Sequence, residues 1–164
     1  MLSQKLQAAL NDQINAELAS AYVYLAMAAH FEASNLVGSG RWMRRQAREE
    51  VTHAMKIFDF VHGRDGRVTL AAVAQPPAQF GSSVEVWEQV LKHEKGVTDR
   101  IHQLYALAVA ENDYPTQTML HWFIDEQVEE EKTATTILEQ ARMIGPSNSA
   151  LYFLDRHLGK EAEG

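Results

Sequence analysis

The sequence predicts an all-α fold: a four-helix bundle with one long crossover between the second and third helices, and a short fifth helix at the C-terminal end. Three observations predict it. Apolar residues recur at helical spacing in four long segments, and no segment alternates cleanly with a period of two. The connections within the first pair and within the second pair span only a few residues, near Asn35 to Gly38 and near Asn112 to Tyr114, which makes each pair antiparallel neighbours. The connection between the pairs, from Gly63 to Gly81, carries Gly66, Pro76 and Pro77. At about 3.3 Å per residue it reaches well beyond the ~37 Å of a ~25-residue helix, so it can cross the bundle from end to end.

Each element has its own signals. The first helix runs from about Ser3 to Ala33, with Leu6, Leu10, Ile14, Ala21, Tyr24, Ala28 and Phe31 on its apolar stripe. The second runs from about Ser39 to His62 and places Met43, Ile57 and Phe60 on one side. The third opens at Ser82, where Glu85 completes a capping box. It carries Trp87, Leu91, Ile101, Leu104 and Ala108. The fourth opens near Asp113 and Pro115, because proline suits the first helical turn, and it stops near Gly145-Pro146. Its stripe is Leu120, Phe123, Ala134, Ile137 and Ala141. The fifth, about 149–158, shows Leu151, Leu154 and Leu158, a stripe too short to be stable alone. It is expected to serve assembly rather than folding of the bundle. The chain 1–164 reads as a single domain, with the bundle at about 3–144.

Composition narrows the function. With 46% hydrophobic and 23% charged residues the chain has an ordinary soluble mix. The absence of cysteine removes disulfide scaffolds, thiol catalysis, iron–sulfur clusters and thiolate zinc sites. A net charge of -7 argues against nucleic acid and suits cations. The opening residues do not read as a signal peptide. The longest apolar stretch, Ala19 to Ala29, is broken by Ser20 and falls short of the roughly 20 residues that cross a bilayer. The expectation is a soluble, cytoplasmic protein without membrane or nucleic-acid partners.

Each long stripe has a polar gap near its middle. Glu17 interrupts the first, Glu50 and His53 the second, Glu94 the third, and Gln127 and Glu130 the fourth. In an antiparallel bundle, mid-helix positions on inward faces meet at one level. Four carboxylates and an imidazole then share one dry space. Ionised groups cannot remain there bare; they take up protons or meet cations. Two divalent ions would neutralise Glu17, Glu50, Glu94 and Glu130. The Glu50-x-x-His53 spacing lets both side chains grip one ion from a single helix face. A single such gap is commonly a misassigned register or a snorkelling side chain. Four coincident gaps, one with a histidine three residues on, point to a dinuclear metal site.

Other polar residues read differently. His30, His62, His93, His102, His121 and His157 lack matching acidic partners on an inward face and are expected at the surface or rim. The run Asp125 to Glu131 has two readings, a solvated face or a further cation site, since Glu126 and Glu129 flank the inward residues as Glu49 flanks Glu50.

Taken together, the sequence resembles the bacterial non-haem ferritins from about Leu2 to Leu158. The residues that carry the resemblance are Asn15-x-Glu17-Leu18, Tyr24, Arg45-Gln46-Ala47-Arg48-Glu49-Glu50-Val51-Thr52-His53-Ala54 and Glu94. They continue through Asn112-Asp113-Tyr114-Pro115-Thr116, Trp122, Glu126-Gln127-Val128-Glu129-Glu130-Glu131-Lys132 and Leu151-Tyr152-Phe153-Leu154-Asp155. The resemblance implies a ferritin-like bundle in a hollow homo-oligomeric cage of 24 subunits. Such a cage oxidises Fe²⁺ with O₂ and stores it as ferric mineral. It implies two iron positions per subunit: Glu17, Glu50 and His53 at the first, and Glu50, Glu94 and Glu130 at the second, with Gln127 nearby and Glu50 bridging.

Glu49, Glu126, Glu129 and Glu130 match a third iron position of that family. Tyr24 matches a tyrosine beside the dinuclear centre, either a hydrogen-bond or electron donor or simply a core aromatic; Trp122 poses the same choice. No haem is expected, because Val51 stands where haem-binding relatives carry methionine. The lack of cysteine also sets aside a rubrerythrin-like peroxidase. A metal-free helical interaction module is the alternative of a different class.

Overall fold

A computed structural model describes residues 1–163. These form five helices: α1 (Gln4–Ala33), α2 (Val37–Gly63), α3 (Ser83–Ala110), α4 (Tyr114–Ile144) and α5 (Asn148–Glu161). α1 packs chiefly on α2 and α3 on α4, the two antiparallel hairpins that the short connections predict. The helix starts follow the sequence signals. Ser3 Oγ accepts from Leu6 N at 3.1 Å to cap α1. Ser82 and Glu85 form the reciprocal capping box of α3. Asp113 caps α4 by accepting from Thr116 N at 3.0 Å. The turn after α1 is made by Asn35, whose φ of 60° lets Leu36 N reach Phe31 O at 2.9 Å.

The crossover lies along α1. Gln7 Oε1 accepts from Arg67 N at 2.8 Å. Asn11 donates to Arg67 O at 3.0 Å and accepts from Thr69 N at 3.1 Å, and Asn15 donates to Ala72 O at 3.4 Å. Positions 7, 11 and 15 fall one turn apart, so one polar stripe of α1 straps the loop in place. Farther along, His30 Nε2 lies 2.8 Å from Gly81 O. Where α2 ends, Arg64 donates to both oxygens of Asp113 at 2.9 Å each, tying the end of α2 to the start of α4.

The core is divided in two. One apolar cluster gathers Tyr24, Phe31, Trp42, Met43, Trp87 and Ile137 toward one end of the bundle. The other gathers Leu6, Leu10, Ile57, Ile101, Leu120 and Phe123 toward the opposite end. The buried polar residues Gln13, Glu17, Gln46, Glu50, His53, Glu94, Gln127 and Glu130 occupy the levels between them.

The fifth helix departs from expectation in role and length. It extends to Glu161, and Leu154 and Leu158 belong to the bundle's own apolar core. It also supplies what α2 lacks. Leu36 provides no side-chain cap for α2. Instead Asp155 accepts from Gly38 N at 3.0 Å, Ser39 N at 2.7 Å and Ser39 Oγ at 2.8 Å. The approach is close enough that a Cβ on Gly38 would lie 1.8 Å from Asp155 O. A fold role for α5 therefore replaces the purely assembling one. Asp155→Ala is expected to cost about 2–3 kcal/mol, because it orphans buried helix-end donors. The check is the thermal unfolding midpoint, which should fall by several degrees; an unchanged midpoint would show that α2 is capped by other means.

Candidate metal centre

The polar level of the bundle is built by one or two side chains from each long helix. Glu17 comes from α1, Glu50 and His53 from α2, Glu94 from α3, and Gln127 and Glu130 from α4, and all six are buried. Donor atoms of Glu17, Glu50 and His53 lie within 4.8 Å of one another. Among the described residues this is the only such group of three or more metal-ligating side chains. Within it, His53 Nδ1 stands 3.5 Å from Glu50 Oε2, as the i,i+3 spacing requires. The His53 ring is held edge-on by Trp122 and Phe123, with ring centres 5.3 and 6.1 Å away.

The remaining carboxylates are held by donors. Glu94 accepts from the Tyr24 hydroxyl at one oxygen and from Gln127 Nε2, at 3.3 Å, at the other. The same amide nitrogen lies 3.2 Å from both Glu94 O and Thr98 Oγ1. Glu130 accepts from Gln46 Nε2 at 2.8 Å, and Glu17 Oε1 from Gln13 Nε2 at 2.7 Å. Glu17 Oε2 is buried and accepts no hydrogen bond. A buried oxygen left unpaired is costly, and a cation would satisfy it.

Gln13, Gln46 and Thr98 escaped the sequence reading. Their signal was present: each stands four residues from a gap carboxylate on the same helix face, Gln13 before Glu17, Gln46 before Glu50 and Thr98 after Glu94.

The outer acidic residues are not drawn together in the same way. Glu49 is half-exposed with Arg45 Nε 3.5 Å away, Glu126 Oε1 lies 3.9 Å from His53 Nε2, and Glu129 is exposed. His93 was expected at the surface or rim. It is half-buried, with Nε2 2.8 Å from Ser20 Oγ and its ring edge on Tyr24, and burial lowers its pKa. Trp122 is partly exposed, with Lys56 Nζ 4.3 Å above its ring.

Comparison with known proteins bears on this arrangement. Residues 7–144 match the ferritin-like domain. The chain belongs to the ferritin family. It is 38% identical to the bacterial non-heme ferritin of Bacteroides fragilis over 160 residues, 98% of this chain and 99% of the relative. It is also 38% identical to that of Staphylococcus aureus over 159 residues, 97% of this chain and 96% of the relative. Its structure superposes on the open-pore ferritin of the archaeon Archaeoglobus fulgidus with a TM-score of 0.96 and 49% identity, covering 97% of this chain and 98% of that one.

In this ferritin the metal-free centre holds protons at neutral pH. Burial first, and the charge of Glu94 second, together push Glu50 up to about 8 and Glu130 up to about 7. Glu17 is raised well above the usual carboxylate range, first by burial and then by the charge of Glu50. Tyr24 is raised for the same reasons and stays a donor. An unfolded glutamate titrates near ~4.3, so between that pH and the folded values the folded chain carries extra protons. The stability they contribute is complete below about pH 4 and is lost as the pH rises through about 7 to 8.

Metal-free protein is therefore expected to melt lower at pH 8.5 than at pH 6. A redox-inert divalent ion should reverse that slope, because it takes the place of the protons. Glu50→Gln should flatten the metal-free slope. Melting curves in matched buffers decide it, and a rising metal-free midpoint across that range would refute the assignment.

Proposed function

We propose that this protein stores iron and acts as a ferroxidase: it oxidises Fe²⁺ with O₂ at a dinuclear centre inside each subunit and deposits ferric oxyhydroxide within a protein cage. The observation that carries the reading is the convergence of Glu17, Glu50 and His53 within 4.8 Å, with Glu94 and Glu130 near enough for their charges to act on Glu50. Oxygen-rich donors with one imidazole suit iron or manganese better than copper or structural zinc.

In this reading Glu17, Glu50 and His53 hold the first Fe²⁺, and Glu50, Glu94 and Glu130 the second. Four carboxylates balance two divalent ions, so substrate binding neutralises a charge the apolar surroundings cannot solvate. Two Fe²⁺ side by side deliver two electrons to one O₂ together. After oxidation the iron carries two further positive charges, and the same four carboxylates no longer balance it. Hydroxide or oxide must then bind, or iron must leave toward the store. Gln127 holds Glu94, since its amide N–H faces that carboxylate. Tyr24 donates to the other oxygen of Glu94 and so fixes its orientation. Glu49, Glu126 and Glu129, with Glu130, would hold a third iron beside the pair. Val51 offers no haem ligand.

The whole chain acts as one ferritin-like unit in a homo-oligomeric cage, with 24 subunits the proposed number. The near full-length similarity to ferritins supports this. The protein works in the cytoplasm on freely diffusing Fe²⁺ and O₂. No helix of the described residues is long and apolar enough to cross a membrane.

Glu50→Ala is expected to abolish rapid O₂-dependent oxidation, because it removes the bridge and unbalances the charge. His53→Ala should weaken the first position alone. Stopped-flow mixing of Fe²⁺ with O₂ reads both, and wild-type kinetics in Glu50→Ala would falsify the dinuclear reading. Replacing Glu49, Glu126 and Glu129 together by alanine should preserve the first fast phase and change later turnovers in rate or in Fe-to-O₂ ratio. Loss of the first phase with the metal pair still bound would contradict that division of roles.

A further inference from the structure

The three amides around the centre are not equivalent. Gln46 and Gln127 donate to Glu130 and Glu94 from within the bundle. Gln13 sits on the seam between α1 and α3, where a crevice is lined by Asp12, Gln13, Arg100 and Leu104. Although Gln13 is itself buried, its carbonyl oxygen faces an exposed cation: Arg100 Nε donates to Gln13 Oε1 at 3.4 Å. The same guanidinium donates to Asp12 O at 3.2 Å, which anchors it to the backbone of α1. On the inner side Gln13 Nε2 donates to Glu17 Oε1 at 2.7 Å.

This arrangement fixes the amide from both ends. A guanidinium can only donate and a carboxylate accepts, so the carbonyl must face Arg100 and the N–H must face Glu17. A reversed amide would set donor against donor and acceptor against acceptor. The cation also draws electron density toward the carbonyl and strengthens the N–H as a donor, since hydrogen bonds in a chain polarise one another. With Oε1 tethered, the ionised Glu17 is left with one oxygen, Oε2, that accepts no hydrogen bond and is free for metal.

We infer that Gln13 and Arg100 are positioning residues for the first metal position, relaying a surface charge through one amide onto Glu17. Neither touches the metal. The inference rests on the reading of Glu17 as a ligand. Outer partners of this kind commonly change metal affinity by about 10–100-fold when removed.

The test is anaerobic Co²⁺ titration of the assembled full chain, followed by its visible absorption, with the His53→Ala variant marking which phase is the first position. Gln13→Leu is expected to weaken that position by about tenfold and to leave the second unchanged. Arg100→Gln, a surface change that spares the fold, should weaken it by about threefold, the smaller effect of an indirect partner. The double variant should be no weaker than Gln13→Leu alone, because the charge acts only through the amide. Additive losses, or wild-type affinity in either single variant, would overturn the relay. Should Gln13→Leu fail to fold, Arg100→Gln still decides, since wild-type affinity there excludes the relay. Failure of the dinuclear reading looks different: wild-type protein would bind fewer than two Co²⁺ per subunit at the centre, or Glu50→Ala would bind like wild type.

Discussion

Carboxylates withdrawn from water must be protonated, hydrogen bonded or bound to a cation, and the middle of this bundle holds four of them between two apolar half-cores. Everything around that level answers the constraint. Gln13, Gln46, Gln127 and Tyr24 each donate to a carboxylate oxygen. The protons that Glu50 and Glu130 keep near neutral pH answer what the donors leave over. The structure without metal is thus a protonated placeholder for a cationic one. Metal can enter by exchange with protons rather than by opening the core.

The two half-cores keep the level in register. Trp42 and Trp87 pack edge-to-face, with ring centres 5.0 Å apart, in the half toward α5. Leu154 and Leu158 close that same half, while Asp155 secures the start of α2, the helix that carries Glu50 and His53. At the far end the Arg64–Asp113 pair links the end of α2 to the start of α4, the helix that carries Glu130. α2 is therefore tied at both ends, which suits the element that carries Glu50, the glutamate proposed to serve two ions. The crossover strapped to α1 by Gln7, Asn11 and Asn15 joins the hairpins without entering the polar level.

Much of this was legible in the sequence, for a physical reason. A polar residue in an apolar stripe is visible because helical periodicity exposes it, and Glu17, Glu50, His53, Glu94 and Glu130 all show that way. Their supporting donors are hidden by the same logic. Gln13, Gln46 and Thr98 look like ordinary polar helix residues until the facing helix is known, because their partners lie partly on other elements. The contacts of His93 were hidden as well, because Tyr24 and Ser20 lie on α1, far away in sequence. The role of α5 was misread because Asp155 meets Gly38 and Ser39 across more than a hundred residues, a contact that no local pattern encodes. Glu49, Glu126 and Glu129 share a sequence pattern, yet their burial and partners differ.

The central claim is that the buried carboxylates exist to hold two divalent ions with Glu50 between them. A crystal soaked anaerobically in Mn²⁺, with anomalous scattering used to locate the metal, tests it most directly. The account predicts two peaks per subunit, one bound by Glu17, Glu50 and His53 and one by Glu50, Glu94 and Glu130, with the Gln13 and Gln46 hydrogen bonds retained. A single peak, or metal found only on the outer residues Glu49, Glu126 and Glu129 while the inner carboxylates keep only their protons and their amide and Tyr24 donors, would contradict it.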